Sequence, residues 1–181
     1  MTTPVPFTFL KAKLEDCEVV APDGVVYYEI STTRGFLGHK ITTIKSVGNV
    51  SGAINWREKT FTLNGMERKW KDLEHREAGF LGLFKSERNW NWNERPYNLK
   101  YHDSHKELLV TPKFPGGEMV RFTTYQHHLL HENARAVIYF PQNMDLSERM
   151  FLLMAVIEME FTRQEEEREE RREAFQEGLG A

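Results

Sequence analysis

Apolar and polar positions alternate in short bursts through most of the chain. "FTFLKA" (7–12), "VVYYEIST" (25–32), "HKITTIKS" (39–46), "SGAINWR" (51–57) and "TFTLNG" (60–65) are rich in β-branched and aromatic residues. So are "ERNWNW" (87–92), "YNLKYH" (97–102), "ELLVT" (107–111), "MVRFTTY" (119–125) and "RAVIYF" (135–140). Many of these have a period of two, which predicts strands with one buried face. Asp23-Gly24, Asn64-Gly65 and Pro115-Gly116-Gly117 are turn signals between them. Asn64-Gly65, between "TFTL" and "MERKW", predicts a tight hairpin, because both central residues of that turn need positive φ.

The pattern changes at "ERMFLLMAVIEMEF" (148–161), which is followed at once by "TRQEEEREERRE". Met150 to Ile157 is uninterrupted apolar sequence, and extending it to Phe161 takes in Glu158 and Glu160. Twelve helical residues span roughly 18 Å, against about 30 Å of bilayer hydrocarbon, so the run is too short to cross. It is not amphipathic either. Phe151, Leu152, Leu153, Met154, Val156 and Ile157 point in every direction on a helical wheel, so the helix must be surrounded by protein. Asp145 is the expected N-cap, and Glu148 stands three residues on, the spacing of a capping box. Beyond the apolar run, Glu167 and Arg171 stand four apart, a pairing that supports a helix in water. No heptad seam survives "EEEREERRE", which argues against a coiled coil.

Ten or more antiparallel strands closed on themselves leave a lumen that must be filled. A helix apolar on all sides fills it. The expected fold is therefore mainly β: a single antiparallel β-barrel of about a dozen strands wrapped around a buried C-terminal helix. Residues 1–162 form the barrel, with the central helix from about 145, and 163–181 form a charged helical extension.

Charge and cysteine content narrow the setting. Of 24 basic and 27 acidic residues, four Arg and seven Glu lie from Arg163 onward, leaving a body with 20 of each. A neutral body with an acidic tail has no net counterion-release term to hold nucleic acid. The single cysteine, Cys17, allows no intrachain disulfide and suits a reducing compartment. "MTTPVPFTFLKAKLED" lacks a basic segment leading into an apolar one, so no signal peptide is expected. An intracellular location, cytoplasmic or peripheral to a membrane, follows.

Several segments carry side chains suited to binding. In "MERKWKDLEHR", Arg68, Lys69 and Lys71 suit a phosphate headgroup if they share one rim, although Glu67, Asp72, Glu74 and Glu77 dilute the field. "RGFLGHK" sets Phe36 and Leu37 between glycines, flanked by Arg34 and Lys40. "AGFLGLFKSER" has the same build: Phe80, Leu81, Leu83 and Phe84, with Lys85 and Arg88 after them. Apolar tips with cations behind them suit a membrane surface or a partner groove. Trp90, Trp92, Tyr97 and Tyr101 are expected in the core or in one of its walls. His127, His128 and His131 fall in a polar segment between strands, and the metalloprotease pattern is absent because no Glu follows His127. No metal site or cofactor is predicted. No nucleophile elbow, P-loop or dinucleotide fingerprint is present, so the reading is non-enzymatic.

A resemblance runs through ordered segments: "APDGVVYYEISTT", "HKITTIKS", "SGAINWREKTFTLNG", "RNWNWNERPYNLKYH", "MVRFTTY" and "RAVIYFPQNMDLSERMFLLMAVIEMEFTRQEEEREER". Together they cover nearly the whole chain. The sequence resembles a family of uncharacterised domains abundant in mushroom-forming fungi, within the tubby C-terminal-like superfamily. The superfamily also holds the phospholipid scramblases and the plant LURP-one-related proteins. The resemblance implies a barrel around a hydrophobic C-terminal helix. Its recurrent theme is membrane lipid, bound in tubby-like domains by basic residues of the barrel surface. That basic site has no residue-by-residue match here and is not carried over. The membrane anchor and cysteine-rich segments of the scramblase relatives have no counterpart in this chain.

The leading expectation is thus a non-enzymatic binding module for membrane phospholipid headgroups. One alternative is a protein-interaction or scaffold domain that uses the charged C-terminal helix. Another is a small-molecule binder or enzyme with its site near His127, His128 and His131.

Overall fold

The computed structural model describes residues 3–35, 38–74, 87–126 and 133–179. Among these, one antiparallel sheet holds twelve strands. They are β1 (Val5–Phe9), β2 (Cys17–Val20), β3 (Val26–Gly35), β4 (Gly38–Ser46), β5 (Ser51–Asn55) and β6 (Thr60–Leu63). Then come β7 (Met66–Lys69), β8 (Glu87–Trp92), β9 (Arg95–His102), β10 (Glu107–Pro112), β11 (Val120–Thr123) and β12 (Val137–Phe140). A one-turn helix, α1 (Trp70–Leu73), follows β7, and the long helix α2 (Leu146–Leu179) closes the chain. In space the sheet runs β7-β6-β5-β4-β3-β2-β1-β12-β11-β10-β9-β8. Every neighbouring pair is a sequential hairpin except one: β1 pairs with β12, Phe7 opposite Ile138.

All ten expected strands are present. Asn64 and Gly65 have φ of 48° and 81°, the left-handed pair that a two-residue hairpin needs, and β7 is the hairpin's second arm. The β8–β9 hairpin has the same geometry at Asn93 and Glu94, with φ of 47° and 65° and no glycine to announce it. β2 is the strand that the pattern does not reveal. It is four residues long and follows a 3-10 turn (Leu14–Asp16), and it is held by ladders to β1 on one side and β3 on the other.

Helix α2 starts where the sequence places it. Asp145 Oδ2 accepts from the backbone N–H of Ser147 (2.9 Å) and of Glu148 (3.1 Å), as an N-cap does. The capping box is not completed in the usual way. The Glu148 carboxylate turns to the sheet, accepting from Arg95 Nη1 at 2.9 Å and from the Tyr97 hydroxyl. A buried carboxylate gains more from a guanidinium than from a backbone N–H that is already near water.

Met150 to Ile157 have no exposed surface at all. Strands from widely separated places in the sheet order supply the cover. Trp92 of β8 stacks on Phe151 at 4.8 Å, and Phe61 of β6 meets the same ring edge-on at 6.0 Å. Arg149 lies over Phe7 of β1 and Phe140 of β12, at 5.8 and 5.9 Å. On β5, Gly52 permits the closest approach: a Cβ there would stand 2.9 Å from the Sδ of both Met150 and Met154. Further along, Trp56 stacks on Phe161 at 5.2 Å, and Arg163 sits over the Tyr101 ring of β9 at 4.8 Å. The sheet therefore curls about the helix, which answers the all-round apolar pattern. Past Arg163 the same helix continues, with Arg171 and Glu167 at 3.7 Å on its solvated stretch. Among the described residues, no helix is long and apolar enough to cross a membrane.

The two ends of the sheet are β7 and β8, and no ladder joins them among the described residues. They approach each other all the same. Glu74 forms an isolated bridge to Trp90, and Arg68 Nη2 donates to Asn93 Oδ1 at 3.4 Å. Phe61 and Trp90 pack with ring centroids 5.2 Å apart. This seam is where the site described next is found.

Candidate functional site

A cavity of about 480 Å³ lies along the seam. β7 contributes Glu67 and Lys69 to its lining, and the turn after it contributes Trp70, Lys71 and Glu74. Arg88 and Trp90 come from β8, Glu58 and Lys59 from the turn before β6, Thr60 from the start of β6, and Glu158 from α2. Trp70 and Trp90 meet edge-to-face at 6.3 Å, with Phe61 5.5 Å from Trp70. The charged ring is balanced. Lys59, Lys69 and Lys71 are exposed, whereas Arg88 is tied to Glu74 at 3.3 Å.

Glu158 is 2% exposed, with Oε1 accepting from Thr162 Oγ1 at 3.3 Å and no partner for Oε2 among the described residues. Burial pushes its pKa from 4.5 to about 7; Arg88, Thr162 and Lys59 act against the rise and Glu74 adds to it. Its neighbour Glu160 is equally buried but is held by Arg163 (2.7 Å) and Gln164 (2.7 Å). One turn of helix thus carries one satisfied carboxylate and one that is not. The side-chain polar atoms Thr60 Oγ1, Trp70 Nε1 and Trp90 Nε1 share the condition of Glu158 Oε2, buried and without a partner among the described residues. Each such atom costs roughly 1–3 kcal/mol of folding free energy, so four around one cavity mark a place where stability is given up.

The sequence-derived binding residues separate on this frame. Lys69, Lys71 and Arg88 come together at the cavity. Arg68 does not join them, because successive strand residues face opposite ways. It lies 5.4 Å over the Trp92 ring, in a separate crevice with Met66 and Leu73. Arg34 is ion-paired with Glu15, and Lys40 is exposed on β4. Phe36, Leu37, Phe80, Leu81, Leu83, Phe84 and Lys85 lie outside the described residues, as do His127, His128 and His131. The strand ends that flank the two Gly-Phe-Leu segments nonetheless share one end of the sheet. Ile41 pairs with Asn55, next to Trp56 on Phe161, so the Gly35 end of β3 and the Gly38 end of β4 lie toward the point where the helix leaves. Glu74 and Arg88 stand at the cavity beside Glu158, less than one helical turn before Phe161.

Trp90, Trp92, Tyr97 and Tyr101 are buried, as expected, and Trp90 is also a wall of the cavity. Lys59, Thr60, Trp70 and Glu158 are the site residues that sequence reasoning missed. Glu158 carried a signal, since a carboxylate inside an otherwise apolar run needs a reason. Cys17 is buried, with its thiol pKa pushed up by desolvation, the opposite of a reactive thiolate. At the other end of the helix a hollow of about 390 Å³ includes Arg95, Tyr97 and Glu148, and the Glu148 carboxylate accepts from the other two.

Compared with protein-family models, with curated proteins and with solved structures, the chain matches none.

Proposed function

We propose that the chain is a non-enzymatic binding module that takes a membrane phospholipid headgroup in the seam cavity. In this reading its sheet is a barrel of the tubby C-terminal-like kind, closed by the side chains across the seam, and the chain belongs with the fungal family it resembles. One observation carries the functional part. Lys59, Lys69, Lys71 and Arg88, from three separate segments, converge on one cavity. Ammonium groups at a cavity mouth bind phosphate oxygens by charge-assisted hydrogen bonds. Co-sedimentation with neutral and with phosphoinositide-containing vesicles, at low and at physiological salt, tests the reading. Headgroup-dependent binding that weakens with salt and falls at least about tenfold in Lys69→Ala/Lys71→Ala is expected, one to two charge-assisted contacts being removed. Binding to no vesicle, or binding indifferent to the two lysines, overturns it.

A second reading is a protein-interaction surface on the extension of α2. It is favoured by Phe175, which stands 69% exposed on that charged helix.

A further inference from the structure

The end of the sheet at which α2 starts is built differently from the seam. Among the described residues, five large apolar side chains stand more than half exposed: Val25, Val47, Met66, Met119 and Phe175. Phe175 is on the extension of α2. The other four all belong to this one end. Val25 precedes β3, Val47 follows β4, Met66 opens β7 and Met119 stands just before β11. The ladders set those strand ends on the side where β12 finishes, with Phe140 opposite Val5, before the chain reaches Asp145.

These side chains are joined by others. The Val47 N–H donates to Tyr27 O at 3.2 Å, which puts the turns of Val25 and Val47 side by side. The Asn64 N–H donates to Ser51 O at 2.9 Å, so the turn before Met66 adjoins half-buried Val50. A Cβ on Gly48 would stand 2.9 Å from Cδ1 of Leu146, the first residue of α2. Half-buried Phe114 and Met144 then line the hollow at the start of α2, and Met119 follows its Gly116-Gly117 rim. Single exposed apolar residues are ordinary on a protein surface, whereas four at one end with apolar neighbours between them mark a place where something docks.

Charge decides what docks there. The turns of this end carry Asp23, Glu94, Glu118 and Asp145 against Lys113, and Arg95 is taken by Glu148. The adjoining strand ends add Lys45, Glu67 and Arg68, which leaves five carboxylates against three cations. The N-terminus of α2 contributes about half a positive charge, too little to reverse the sign. An anionic membrane is repelled by such a face, and so is the tail of a second copy, with its seven Glu and four Arg. Two copies meeting end to end would bring like charges together. A cationic side chain is accommodated instead. The hollow offers Phe114 and Met144 to its stem and exposed Asp145 to its head.

We propose that this end of the sheet is the docking surface for a protein partner presenting a basic amphipathic segment. Apolar residues of that segment cover Val25, Val47 and Met119, and a lysine or arginine enters the hollow beside Asp145. The surface lies roughly 18 Å from Glu158 along α2, the helix from Leu146 onward, so it stands independently of what the seam cavity binds.

The probe is a fluorescent peptide of about 18 residues, five helical turns, with leucines on one face and lysines on the other. Its twin carries glutamate for lysine. Anisotropy is measured against the full chain at low and at physiological salt. The lysine peptide is expected to bind at least about tenfold more tightly than its twin and to weaken with salt. Val47→Ser/Met119→Ser is expected to weaken it about tenfold at either salt. Asp23→Asn/Glu94→Gln/Asp145→Asn, in which asparagine keeps the helix cap, is expected to weaken it about tenfold at low salt and to remove most of the salt dependence. Lys69→Ala/Lys71→Ala at the seam is expected to change neither quantity. All substituted positions are exposed, so thermal melts of the variants should stay within a few degrees of the parent. Binding of neither peptide, equal binding of both, or binding that survives both sets of substitutions, as attachment to the tail would, overturns the proposal. A dimer in light scattering, or capture by anionic vesicles, that is lost in Val47→Ser/Met119→Ser also overturns it, because it gives the surface to a second copy or to a membrane.

Discussion

Glu158→Gln is the most informative single change for stability. Glutamine is close in shape to a protonated glutamate, so the variant keeps the packing of the wall and removes only the ability to ionise. In the folded protein the Glu158 carboxyl holds its proton up to about pH 7, whereas its ordinary value is 4.5. The sign follows. Below the unfolded value both states are protonated and the residue costs nothing through ionisation. As pH rises, the unfolded chain loses the proton first, so the folded state is progressively disfavoured until the folded carboxyl also ionises. Above that point the penalty is constant. Its full size, from the distance between 4.5 and about 7, is roughly 3 kcal/mol. The residue is 2% exposed, so solvent screening takes little from this figure. Burial sets its titration first; Arg88, Thr162 and Lys59 act against the rise and Glu74 adds to it. Urea unfolding of both proteins at pH 4.5 and pH 8 provides the assay. The two should be nearly equal in stability at the lower pH, and Glu158→Gln should be more stable by about 3 kcal/mol at the higher. Contributions from the rest of the chain are common to both proteins and cancel in the difference. A stability difference that does not change between the two pH values refutes the reasoning. It would mean that Glu158 is solvated or paired in the folded protein.

Other perturbations test the frame that holds the site. Ile157→Asp or Leu153→Asp places an unpaired charge where exposure is nil, at a cost of several kcal/mol against a total stability of about 5–15. Loss of soluble, folded protein is the expected outcome, and a cooperative melt for Ile157→Asp would refute an all-round buried helix. Trimming the chain from Glu167 onward leaves Glu160, Arg163 and Tyr101 in place, so the melting temperature should move by no more than a few degrees. The same truncation tests the interaction reading of Phe175: a self-association seen by light scattering and lost on trimming would favour it.

Local pattern made much of this architecture legible. Alternation marked ten strands, Asn64-Gly65 marked a hairpin, and an apolar run too short for a bilayer and too round for a surface marked an enclosed helix. Each of these is a property of neighbouring residues, and backbone geometry translates neighbours into faces directly. β2 escaped because four residues carry too little alternation, and its stability comes from the strands on either side. The site was harder still to read. Lys69, Lys71 and Arg88 were picked out as cations, but grouping Lys69 with Arg68 failed on strand alternation. Lys59, Thr60, Trp70 and Glu158 reach the same cavity from β6 and the turn before it, α1 and α2, as many as a hundred positions apart in the chain. Thus the sequence by itself determined most of the strands, where the helix begins and that it must be enclosed. The tertiary structure alone decided which strand ends meet at the seam and which polar atoms are left there without partners. Burial and pairing depend on what the curled sheet brings into contact, and local periodicity carries no record of contacts between distant segments.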